Sequence, residues 1–161
     1  MKNNVKIMGS GEIVDYEYSQ ILVHGNLKVK SNIIFDQLYV FGFLNSNSIL
    51  EGDDVKITGS IKGNSVLQTT NFKCEFSSNS SCKSIVSNDI SIFPQKSIFK
   101  KNIFFKCDSI IGKNISLSNI ISKTISGENV YIKGKSHIQE LKYSKTYKIS
   151  DSCLVDKIEK I

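Results

Sequence analysis

With 161 residues, 40% of them hydrophobic and 22% charged, the chain has the length and apolar content for one folded domain and not for a disordered segment. No run of about 20 apolar residues offers a membrane-crossing helix. Every cation is a lysine: residues 1–92 hold eight against nine acids, net −1, and residues 93–161 hold thirteen against six, net +7.

That lysine-rich C-terminal half predicts weak, salt-screened contact with an anionic membrane surface. Nucleic acid is not expected as a partner. Forked phosphate and base contacts need arginine, and no aromatic residues interleave with the lysines to stack bases.

The N-terminal MKNNVKIMGSGE lacks the apolar core of a secretory signal, so a cytoplasmic location is expected. Within it Val5 and Ile7 are the first apolar–x–apolar pair, followed by Gly9. The same phrase returns 16 residues on as ILVHGNL from Ile21, and then at intervals of 17 as LYVFGFL from Leu38 and VKITGSI from Val55. Phe72 and Cys74 continue it, and Ile33, Leu50 and Leu67 form a further column. One inserted residue then brings Ile85, Ile90 and Ile92 into frame, while Ser78 interrupts the column of Leu27, Leu44 and Ile61.

Alternation with period two is a strand signal, and 17 residues are too few for strand, helix and two turns. One coil of three short strands joined by tight bends fits this length. Coils of this kind stack about 4.8 Å apart through parallel main-chain hydrogen bonds, and like residues pile into inner columns. The expected fold is an all-β, single-stranded parallel β-helix, right-handed, forming one domain over residues 1–161. Its regular N-terminal coils cover residues 1–92.

Residues 93–106 fit no coil and are predicted as an irregular excursion, with Phe99, Phe104 and Phe105 covering the side of the helix. Residues 107–161 return to register: Ile115 and Leu117, Val130 and Ile132, then Tyr147 and Ile149.

Two stretches carry a family resemblance. The N-terminal GSGEIVDYEYSQILVHGNLKV resembles the opening of bactofilins, polymer-forming bacterial cytoskeletal proteins, where GSG precedes a G-x-Y-x-x-I-x-V-x-G phrase. The C-terminal CDSIIGKNISLSNIISKTISGENVYIKGKSHIQELKYSKTYKISDSCLVDKIEKI is similar to the end of clostridial-type members. There Gly127, Val130, Ile132, Gly134, Ile138, Leu141, Tyr143 and Ile161 fill the matching positions. Residues 45–48 and 77–81, together with Phe76, depart from the expected glycines. The resemblance implies a non-enzymatic scaffold that assembles end to end into filaments, with itself as principal partner, and serves an envelope-enzyme client at the inner membrane face.

A coil stack has two ends with unpaired backbone groups, which must be capped or used. Val5 and Ile7 are expected in the first coil, and Tyr147, Ile149, Leu154, Ile158 and Ile161 in the last, as the polymer interface. The competing reading is a monomeric β-helical module that binds a protein or glycan.

No catalytic, cofactor-binding or metal site is expected. His24 lies between inward Val23 and Gly25 and should point outward. The acids Glu51, Asp53 and Asp54 in LEGDD read as a polar turn before they read as a Ca²⁺ site. Cys74, Cys82, Cys107 and Cys153 form no CxxC and read as free thiols, with Cys74 buried in its column.

Overall fold

The structure is a computed structural model that describes residues 2–96 and 102–161. Its ten strands form one parallel sheet in chain order: β1 (Asn3–Ile13), β2 (Glu17–Val29), β3 (Ile33–Ser46), β4 (Ile49–Lys62), β5 (Val66–Phe76), β6 (Ser80–Pro94), β7 (Phe105–Ser118), β8 (Ile120–Lys133), β9 (His137–Ile149) and β10 (Leu154–Lys160). Each pairs with its sequence neighbours, so the chain winds into a solenoid of about nine turns with roughly 17 residues per coil.

The inner columns follow the expected register. Val5, Ile21, Leu38, Val55, Phe72, Ile90, Ile115, Val130 and Tyr147 stand one above another. Two residues on, Ile7, Val23, Val40, Ile57, Cys74, Ile92, Leu117, Ile132 and Ile149 form the next column. All members of both columns between the first and last coil are buried. One continuous apolar core therefore runs the length of the stack.

The recurring glycine has a steric cause. Gly25, Gly42 and Gly59 hold φ of 135°, 138° and 143°, a conformation that side chains resist. A Cβ at any of them would run into the carbonyl oxygen of the glycine one coil earlier. The column ends at Phe76, which pairs with Gly59, is fully buried and meets Phe105 edge-on at 5.8 Å.

Two expectations need correction. Each coil is one long strand and not three short ones, because the ladder carries on through the bends. At the corner before each inner column two successive residues face outward, as Asp36 and Gln37 do between buried Phe35 and Leu38, and pairing passes over only the first. The excursion is also narrower than residues 93–106: β6 extends to Pro94 and β7 begins at Phe105, itself fully buried. Phe105 is held on both sides, by Ser80 and Ile120, so it belongs to a coil. Phe99 lies outside the described residues.

Candidate assembly interfaces at the two ends

Every middle strand is hydrogen-bonded on two edges. Among the described residues β1 pairs only with β2, so its 11 residues present one free edge of N–H and C=O groups. At the other end β10 covers β9 only from His137 to Tyr143. Among the described residues the rest of β9 and all of β10 make the second free edge.

The sequence-predicted residues sort onto these edges. Val5 and Ile7 are half-buried on β1, packed against the core from one side. Ile149 is likewise half-buried, and Tyr147 is 42% exposed with its ring 4.5 Å from that of Tyr143. Leu154 and Ile158 belong to β10, at 66% and 38% exposure, while the Ile161 N–H donates to the Tyr143 carbonyl at 2.8 Å.

Their relation along the axis could not be read from composition. Val5 and Tyr147 are the two ends of one inner column, and Ile7 and Ile149 are the two ends of the next. Ile158 closes a third column that runs back through Leu141, Ile125, Ile110, Ile85, Leu67 and Leu50 to Ile33. Opposite Ile33 on the first coil stands Tyr16, whose carbonyl accepts the Ile34 N–H at 2.8 Å and whose side chain is 61% exposed. Sequence reasoning missed Tyr16. It falls in a bend, outside the alternating phrases, and only the pairing of Glu17 with Ile34 assigns it to this column.

Charges on the outside tie end coils to their neighbours. Lys2 donates to Asp36 at 2.7 Å, Lys145 meets Glu128 at 2.6 Å, and Lys157 donates to Glu140 at 3.0 Å. These hydrogen bonds hold the carboxyls of Asp36, Glu128 and Glu140 below their ordinary range. Other lysines of the C-terminal half are engaged too. Lys123 pairs with Asp108 at 3.2 Å, and Lys133 sits 5.0 Å from the centre of the Phe93 ring. Part of the positive charge thus has local partners.

The remaining candidates lie apart. His24 is exposed and stacks on Phe41 at 4.9 Å, whereas His137 approaches Asp156 at 3.3 Å two thirds of a chain away. Asp54 accepts a hydrogen bond from Asn71 at 2.7 Å, one coil on. Among the described residues no group of three or more His, Cys, Asp or Glu side chains is arranged to hold a metal ion. Cys74 is fully buried, and burial pushes its thiol well above the ordinary range. Cys82 and Cys107 face each other in adjacent coils with Sγ atoms 3.5 Å apart, both buried. The neighbouring thiol, reinforced by burial, raises the Cys82 pKa.

No family model, curated protein or solved structure matches the chain.

Proposed function

We propose that the protein is a non-enzymatic scaffold that assembles by stacking its solenoids end to end. The observation that carries this reading is the match between the two free edges. Head-to-tail stacking would place Val5 over Tyr147, Ile7 over Ile149 and Tyr16 over Ile158. Each column would then continue across the junction as it does between coils inside one chain. The backbone edges would extend the parallel ladder, and the apolar ends would be removed from water. A heterologous contact of this kind does not close on itself, so it propagates into a filament.

The resemblance to bactofilins supports the same reading, including a place at the inner membrane face and an envelope-enzyme client. In this proposal direct lipid contact is weak: each exposed lysine contributes only about 1 kcal/mol near an anionic surface. Sedimentation with anionic liposomes should show slight binding that salt abolishes. Binding that persists in high salt would require an apolar anchor instead.

Ile149→Lys tests the interface. The substitution places an ammonium at the junction, which stacking would desolvate without a partner. Polymer should be lost while the circular dichroism melt stays close to the parent's, because the middle coils are untouched. A variant that polymerises as the parent does would remove this edge from the interface. The competing module would sediment as a monomer at every concentration.

A further inference from the structure

A groove of about 830 Å³ runs along one side of the solenoid, parallel to its axis, and reaches the C-terminal free edge at Thr146, Tyr147 and Lys148. One wall is a column of corner residues in register from Asp54 through Asn71, Asp89, Asn114 and Asn129 to Thr146. The other wall runs from Tyr39, Lys56 and Lys73 through Ser91 and Ser116 to Tyr131 and Lys148. Seven strands, β3 to β9, contribute, so six coil steps of about 4.8 Å give a length of about 29 Å.

The first wall is wired together. Asn71 donates to Asp54 at 2.7 Å, Asn114 to Asp89 at 2.8 Å, Asn129 to Asn114 at 3.0 Å and Thr146 to Asn129 at 2.8 Å. Each amide keeps a second N–H and a further lone pair for an occupant. The wiring fixes these side chains in advance, which lowers the entropy lost on binding.

The chemistry narrows the occupant. From β4 to β8 the floor is strand backbone whose N–H and C=O groups are already spent on neighbouring coils, so along that length an extended peptide finds no edge to join. Two carboxylates and three ammonium groups face each other across the walls, a balance unsuited to a polyanion such as nucleic acid. What remains is a line of amides and hydroxyls at a regular interval, with the Tyr131 and Tyr147 side chains 39% and 42% exposed. Lys148, whose ammonium lies 5.8 Å from the Tyr131 ring centre, is exposed and can swing off that face.

We propose that this groove binds a linear, uncharged polysaccharide strand. Sugar hydroxyls would hydrogen-bond the amide, carboxylate and hydroxyl walls, and an apolar sugar face would stack on Tyr131. The site does not rest on assembly: its walls all belong to a single chain, and only Thr146, Tyr147 and Lys148 stand at the free edge of β9.

Isothermal titration of the full chain with cellohexaose and with chitohexaose tests it, alongside Tyr131→Ala, Tyr131→Phe, the double variant Asn114→Ala/Asn129→Ala, and Lys123→Ala outside the groove. At least one hexasaccharide should bind saturably. Tyr131→Ala and the double variant should each weaken it about tenfold, as the loss of a stacking face or of hydrogen bonds would. Tyr131→Phe and Lys123→Ala should bind as the parent does. The variants change exposed residues and the half-buried Asn129, and their melts confirm folding. Failure of both sugars to bind would overturn the proposal, as would binding that ignores the groove substitutions or a stronger response to an oligonucleotide or polyuronate.

Discussion

Val40 is fully buried between Val23 and Ile57, so its side chain has neighbours of its own kind above and below. Val40→Asp would put a carboxylate there with no partner and no water, at a cost of several kcal/mol. A melt shifted strongly downward is expected; an unchanged one would contradict the register. Cys74 replaces an aliphatic residue in the same column and is buried with its thiol pKa raised. Little thiolate is available, and none is in reach of a reagent. Native labelling should therefore be slow at Cys74 and faster at half-buried Cys153, with denaturant removing the difference. Equal native rates would show that the inner column is open.

At the scale of the strand, the ion pairs of the end coils make the ends pH-sensitive. Asp36, Glu128 and Glu140 have carboxyls held below their ordinary range by Lys2, Lys145 and Lys157. Folded-state values that are depressed give stability that is present above the ordinary carboxylate range and lost as pH falls through them. The pairs are exposed, so each is weak and screened, but β10 is held to the stack along one edge only. Below about pH 4 the protection of β10 amides, corrected for intrinsic exchange, should fall relative to that of β4. Protection falling equally in β10 and β4 would contradict this.

The strands themselves were readable because inward positions demand apolar residues at fixed intervals, and outward ones do not. Where the interval slips, as between Phe76 and Ser80, the eye loses the column, although burial of Phe76 against Phe105 keeps the core continuous. The corner ladder was missed for a related reason. Gln20, Gln37, Asp54 and Asn71 stand 17 apart, but amide and carboxylate interchange freely there, and the later members follow at 18, 25, 15 and 17. Hydrogen bonding between side chains, not apolar identity, defines that column.

For the whole molecule, one repeating unit yields both of its surfaces of interest. The flank carries outward residues that vary, and the ends expose the inner columns. Expected interface residues were visible in the sequence as apolar pairs near the termini. Their pairing across the molecule was not, since it depends on the exact number of coils between them: Val5 and Tyr147 share a column only because each intervening shift of register is taken up in a bend or in the region between Pro94 and Phe105. Because the flank groove runs parallel to the axis, its length from β3 to β8 stays open in an end-to-end polymer while Tyr147 is covered at a junction, so the two proposals can be tested on the same preparation.

The central claim is assembly through the free edges, and the most direct measurement is the mass of the untagged chain by light scattering across rising concentration, with negative-stain images of the same samples. The account predicts a mass that climbs with concentration and unbranched filaments one solenoid wide. A mass that stays at the 18.0 kDa of one chain at high concentration would contradict it.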